Sequence, residues 1–528
     1  MDTELKKEVQ RRRTFAIISH PDAGKTTLTE KLLLYAGAVH LAGSVRARKN
    51  HRHVTSDWME LERQRGISIT STVMQFEYED YCINLLDTPG HEDFSEDTYR
   101  TLTAADNAAM LIDSGKGIES QTLKLFDVCR MRGIPIFTFM NKMDRPSREP
   151  LDLLSEIESV LGIGAFPINW PIGNGPSFRG VCDRMTNKVH LFERTDHGAT
   201  KAPVTVTDAY DPALADLVDK DAYKHFREEM ELLEMAGHDF DKDAMRAGKL
   251  TPVYFGSAVT NFGVKLFLDS FISLALTPGP RATNNGPVHP EDEAFTGFVF
   301  KIQANMDPKH RDSVAFLRVC SGRFEKDMSV HHARLGTKIR LSRPHKLFAR
   351  DRETVETAYP GDILGLVNPG SFTIGDSVSA GKKIEFEGVP LFPAEHFAIM
   401  RCPDLMKYKQ YHKGLEQLLQ EGAVQVLHSK NGSRSEPILA AVGKLQFEVV
   451  QYRMLAEYGV TVQLEHLHYK RMAWPRGEDG TLNKMVLPST SRIAEDKQGR
   501  PVVLFSSDWE FNYAQEKSPS IEFLRIAP

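Results

Sequence analysis

Residues 19–26 read Ser19-His20-Pro21-Asp22-Ala23-Gly24-Lys25-Thr26, a short loop ending in a Lys-Thr pair. These residue types in this order suit a polyphosphate. Backbone N–H groups of such a loop and of the helix start behind it carry partial positive charge and can cradle two phosphates. Lys25 can reach the β- and γ-phosphates, and Thr26 can place its hydroxyl on Mg²⁺. Ser19 stands where the generic phosphate-loop motif has glycine. Further along, Asp87-Thr88-Pro89-Gly90-His91 offers a carboxylate for a metal's water shell and a glycine N–H for a γ-phosphate. Asn141-Lys142-Met143-Asp144 offers an Asp that can accept both N–H donors of guanine's Watson–Crick edge, where adenine presents the wrong pattern. Gly256-Ser257-Ala258 can offer backbone N–H groups to the guanine oxygen. In this order the four segments imply a site for GTP.

Each segment follows an apolar run expected as a strand: Thr14–Ile18, Tyr81–Leu86, Ile134–Met140 and Pro252–Phe255. Loops at the C-terminal ends of strands are where a doubly wound sheet binds ligands. From Arg13 to about Leu276 strands alternate with helices, the pattern of an α/β P-loop GTPase domain expected over 1–280. An insertion is expected near 163–249, first Gly/Pro-rich and then acidic and helical, with no recognisable chemistry. Thr277-Pro278-Gly279-Pro280 stops the last helix, and Asn284-Asn285-Gly286-Pro287 reads as linker.

Short β-rich runs between Phe295 and Val378, punctuated by Ser321-Gly322, Pro360-Gly361-Asp362 and Pro369-Gly370, predict a small β-barrel over 288–386. A third region, 390–528, reads strand, helix, strand, strand, helix, strand: His396–Arg401, Asp404–Glu421, Val424–His428, Pro437–Val442, Leu445–Tyr458 and Val460–Glu465. That order is the ferredoxin-like α+β unit. The C-terminal extension beyond it is expected to add one or two strands and a helix.

At 528 residues, with 41% apolar and 26% charged residues, several globular domains are expected. A net charge of −5 argues against indiscriminate coating of nucleic acid, so no DNA partner is expected. The charged start, Met1 to Lys7, and the lack of long apolar runs predict a cytoplasmic protein without membrane association. Cys82, Cys129, Cys182, Cys320 and Cys402 show no paired spacing and read as reduced thiols. A basic cluster of Arg46, Arg48, Lys49, Arg52, Arg63 and Arg65 is one candidate patch for RNA, although charge alone favours a solvated mobile loop.

Glu62-Arg63-Gln64-Arg65-Gly66-Ile67-Ser68-Ile69-Thr70 resembles the first switch of the translational GTPases, the elongation-factor superfamily, and Asp87–His91 resembles their second. The resemblance implies that His91 orients the attacking water. It implies that Ser68 completes the Mg²⁺ shell with Thr26, while Asp87 acts through water. Thr70 is the other candidate, and the Arg-Gly-Ile register favours Ser68. The runs Ile17 to Gly24, Gly90 to Arg100 and Phe298 to Asp312 are similar to those of the bacterial class II peptide-chain release factors. Elongation factor G and the ribosomal-protection proteins share these three domains and carry two further ones. That family implies a ribosome-stimulated GTPase, monomeric off the ribosome, that uses GTP/GDP and Mg²⁺. Its partners would be rRNA, ribosomal proteins and the codon-reading class I release factors, which it ejects after peptide release. The chain has no Gly-Gly dipeptide and hence no Gly-Gly-Gln loop for peptide hydrolysis. The competing readings are a sister GTPase of elongation or ribosome rescue, and a docking module that binds GTP without hydrolysing it.

Overall fold

The structure is a computed structural model describing residues 3–38, 69–193, 200–202, 204–235, 239–304, 313–342, 344–348, 351–368, 370–389, 393–429, 437–477 and 482–524. Its N-terminal sheet is built from β1 (Arg12–Ser19), β2 (Thr72–Tyr78), β3 (Tyr81–Asp87), β4 (Asn107–Asp113), β5 (Ile136–Asn141), β6 (Gly164–Pro167) and β11 (Leu250–Phe255). They lie in the order β2-β3-β1-β4-β5-β11-β6. All pairs are parallel except β2 with β3. Every residue of β1 is buried, as expected for a strand covered on both faces. Its side chains alternate between two cores. Phe15 and Ile17 join Leu28, Leu32, Phe267 and Phe271 from the helices Lys25–Tyr35 and Val264–Leu274. Ala16 and Ile18 join Leu102, Leu125 and Phe126 from the helices Ser95–Leu102 and Ser120–Met131. Each such leucine or phenylalanine contributes about 1.5–3 kcal/mol by leaving water, so the sheet is a rigid platform for its loops.

The stretch between β5 and β11 holds more than acidic helices. β6 is an edge strand of the central sheet, paired with β11 through Pro252 opposite Phe166. Beyond it β7 (Asn169–Ile172), β8 (Gly180–Asp183), β9 (Lys188–Phe192) and β10 (Val204–Asp208) form their own antiparallel sheet. The helix Lys220–Met235 packs on it, where Trp170 Nε1 donates to Glu229 Oε2 at 2.9 Å. These strands escape a sequence reading because β7 contains Pro171 and β10 is almost wholly exposed, so neither shows a clean alternation.

The barrel strands include Thr296–Ala304, Ser313–Ser321, Ile363–Asn368 and Ser377–Ser379 around Val299, Leu317, Val319, Leu364 and Leu366. Buried ion pairs join the barrel to the first domain: Arg12 to Asp362 at 2.9 Å, and Arg318 to Asp106. The third region places Gln463–His466, His396–Arg401, Ile438–Ala441 and Gln425–Ser429 side by side in that order, the ferredoxin-like arrangement. The helices Tyr408–Gln420 and Lys444–Tyr458 cover this sheet through Leu415, Leu418, Phe447 and Val450.

The C-terminal extension carries four strands among the described residues, where one or two were expected. Arg492–Glu495, Pro501–Phe505, Arg471–Arg476 and Glu522–Leu524 prolong the same sheet, and the helix Asp508–Lys517 packs Phe511 against Phe505 and Phe523. Strands this short, one of them holding Pro475, give little period to read.

Candidate active site

The phosphate loop runs from Ser19, the last residue of β1, to Lys25, the first of the following helix. Asp22 (φ 65°) and Gly24 (φ 98°) are both left-handed. A Cβ on Gly24 would lie 2.5 Å from Asn141 Nδ2, so glycine is required twice over there. Ser19, His20, Ala23 and Lys25 are buried, Pro21 and Thr26 half-buried, and Asp22 exposed. Lys25 Nζ donates to Asp87 Oδ1 at 3.1 Å, with both side chains under a tenth exposed (7% and 2%). Thr88 Oγ1 donates to Ile17 O at 2.6 Å and pins the second loop to β1. Pro89 is buried, and a Cβ on Gly90 would touch His20 O and Pro21 Cα at 3.6 Å, so the two loops lie against each other.

Asn141 joins the first of these loops to the last. Its Nδ2 donates to Ala23 O at 2.7 Å, and its Oδ1 accepts from Ala258 N at 2.9 Å. Asp144, half-buried, accepts from Ser257 Oγ at 2.6 Å through Oδ1, which leaves carboxylate lone pairs for a ligand. Met143 is fully buried and its N–H donates to Gly256 O at 3.1 Å. A Cβ on Gly256 would lie 2.5 Å from Phe262 O, so the last loop closes down only around glycine. Lys142 (φ 71°) donates to Asp113 Oδ2 at 2.7 Å. Burial alone would raise the Asp113 carboxyl, but Lys142 and the Gly115 N–H outweigh it and hold the group below the usual carboxylate range. The four segments predicted from sequence therefore lie together, joined by hydrogen bonds among their charged and backbone groups.

His91 caps the short turn Glu92–Phe94, its Nδ1 accepting from Asp93 N at 3.3 Å. A neutral imidazole with Nδ1 accepting carries its proton on Nε2. The side chain is 31% exposed and so open to solvent. His20, by contrast, is buried with Nε2 2.7 Å from Glu119 Oε2. Burial lowers its pKa, with Glu119 opposing. Ser68 and the basic cluster Arg46 to Arg65 lie outside the described residues, which resume at Ile69.

Sequence reasoning missed the contacts that tie this site to the third domain. Asp93 Oδ2 accepts from Leu445 N at 2.6 Å. Arg100 donates to Glu421 O at 3.2 Å and Gly422 O at 2.8 Å. Ile69 and Phe94 share a small apolar cluster with Val449. Two glycines signal them: Gly443, immediately before a helix, where a Cβ would strike the Asp93 carboxylate, and Gly422 (φ 68°), where one would strike the Arg100 guanidinium.

The fold and these loops have known counterparts. Residues 10–277 match the elongation factor Tu GTP binding domain, and residues 294–381 match elongation factor G domain 2. A crystal structure from Thermus thermophilus superposes with a TM-score of 0.69 at 22% identity, covering 89% of this chain and 71% of that one, a likeness of fold. The protein is a translational GTPase. Residues 386–515 match the class II release factor RF3 C-terminal domain. The chain is 61% identical to "Peptide chain release factor 3" of Gloeobacter violaceus, over 99% of both chains. It is 58% identical to the protein of that name in Microcystis aeruginosa, over 100% of this chain and 98% of the other. It belongs to the peptide chain release factor 3 family.

Proposed function

We propose that this chain is a GTP-hydrolysing termination factor that works on the ribosome to dissociate and recycle codon-reading class I release factors after peptide release. The carrying observation is Asn141, whose amide bonds phosphate loop and base loop into one pre-set nucleotide site. Ser19 to Thr26 would hold the phosphates, Asp87 to Gly90 would face the γ-phosphate, and Asn141 to Asp144 with Ser257 and Ala258 would hold guanine. The hydroxyl of Thr26 and the carboxylate of Asp87 form a hard-oxygen donor set that fits Mg²⁺, with Ser68 as the further ligand and Asp87 acting through water. Bound there, the ion would neutralise charge on the phosphates.

His91, partly exposed and with Nδ1 facing the Asp93 N–H, would orient the attacking water once a partner orders the loop around it. Hydrolysis would then release contacts that the γ-phosphate had ordered. The work would be cytoplasmic and the factor monomeric off the ribosome. Among the described residues no helix is long and apolar enough to cross a membrane. The division proposed is a GTPase domain over 1–280, a barrel over 288–386 and a ferredoxin-like domain with its extension over 390–528.

The test uses ribosomes that have released their peptide and still hold a fluorescent class I factor. GTP with this chain should speed departure of the label, and Lys25→Ala should not. Stimulated GTP turnover with no effect on departure would favour a sister factor of elongation or rescue.

A further inference from the structure

Lys301 sits on the barrel strand Thr296–Ala304, all nine residues of which are buried. A buried ammonium costs several kcal/mol unless charged and hydrogen-bonding partners meet it. The partners of Lys301 come from the GTPase domain. Nζ donates to Ser71 O at 2.6 Å and to Asp97 Oδ2 at 3.1 Å. The same Oδ2 accepts from Ser71 N and Ser71 Oγ, both at 2.6 Å, and Thr101 Oγ1 donates to Ser71 Oγ at 2.8 Å. Ser71 is 1% exposed and Lys301 4%. Burial alone would raise the Asp97 carboxyl, but Lys301, Arg100 and the two Ser71 bonds outweigh it and hold it below the usual carboxylate range. The cluster is thus an ion pair closed around the backbone N–H and carbonyl of one residue, Ser71.

Its position in the chain gives it leverage. Ser71 comes three residues after Ser68 and immediately precedes β2. Asp97 comes six residues after His91, in the first turns of the helix Ser95–Leu102. Between them Ile69 packs on Phe94. One ammonium from the barrel therefore fastens the trailing end of the first switch to the helix behind the second.

We propose that Lys301 is a positioning residue for GTP hydrolysis. It holds Ser71 against Asp97, so that the residues from Ile69 into β2 keep one fixed placement relative to the helix behind His91, and the His91 loop meets the nucleotide from a set position. The proposal rests on the function proposed above. A displacement of about 1 Å in such a placement can cost roughly a hundredfold in rate.

The test compares wild type, Lys301→Met, Ser71→Ala and the double variant Lys301→Met/Asp97→Asn. Single-turnover GTP hydrolysis on saturating ribosomes is measured per nucleotide-loaded protein, beside GDP affinity and melting temperature. Lys301→Met leaves the half-buried Asp97 carboxylate with Ser71 and Arg100 but without its ammonium, and frees the Ser71 carbonyl, so its melting temperature should fall and its rate constant drop about 10–100-fold. The double variant removes both charges. It should regain stability and bind GDP within about twofold of wild type, yet stay at least about tenfold slow. Ser71→Ala keeps the backbone groups and should slow turnover about 3–10-fold at full amplitude. A double variant as fast as wild type would make the cluster a fold staple and overturn the proposal. So would variants that lose amplitude at an unchanged rate constant. A wild-type chain whose turnover ribosomes do not stimulate would overturn the functional reading itself, whatever the variants do.

Discussion

Asn141→Ala is the sharpest perturbation of the nucleotide site, because one side chain holds two of its loops. The substitution removes the 2.7 Å bond to Ala23 O and the 2.9 Å bond from Ala258 N. Both residues are buried, so the abandoned carbonyl and N–H cannot simply turn to bulk water. Each stranded group costs about 1–3 kcal/mol, and partial relaxation brings the pair to about 2–4 kcal/mol of lost pre-organisation. That converts to a GDP affinity weaker by about 30–1000-fold. GTP should suffer equally, since the bonds shape the loops that meet the nucleotide's phosphates and base. Fluorescent-nucleotide titration gives the constants, and thermal melting reports any wider damage. Gly24→Ala should be worse than Asn141→Ala, because its Cβ both clashes with the amide and forces a left-handed alanine. Combining the two should relieve the clash but keep the strain. An Asn141→Ala protein that binds GDP within about threefold of wild type would refute the view that this amide sets the site.

Asp144→Asn should lower guanine preference by about 2–4 kcal/mol and favour xanthosine triphosphate, because the amide can donate where xanthine presents a carbonyl; competition binding measures it. Gly443→Ala should push Asp93 away and expose the Leu445 amide, speeding its hydrogen exchange about 5–30-fold. Burial pushes the Cys129, Cys182 and Cys320 thiols up to about 12, and Cys82 is also buried, so alkylation at about pH 8 should label Cys402 alone in the native protein. A second rapidly labelled cysteine would contradict the packing described.

The four candidate loops stand out in the sequence because phosphate, metal and guanine would each demand particular atoms at strand ends, and such demands surface as short motifs; the structure brings the four loops together. Buried parallel strands such as β1 were legible for the same local reason, a continuous apolar run. What lay hidden was relational. Lys301 stood in plain view inside Phe298-Val299-Phe300-Lys301-Ile302, an isolated charge in a buried strand, yet its partners Ser71 and Asp97 are more than two hundred residues away. From sequence Asn141 reads as part of a base-recognition motif, whereas its amide also reaches back to Ala23 in the first loop. The polar β10 and the brief C-terminal strands owe their form to neighbours that no local pattern announces.

His91 carries the central claim. It should be dispensable for binding and needed for chemistry, since its imidazole stands partly exposed beside the turn it caps. The decisive measurement is the rate of GTP hydrolysis by wild type and His91→Ala, each with and without ribosomes, beside their GTP affinities. Wild type should be slow alone and strongly stimulated by ribosomes, while His91→Ala binds GTP about normally and loses about 10²–10⁴ of the stimulated rate. A His91→Ala protein that turns over GTP on ribosomes at the wild-type rate would contradict the account.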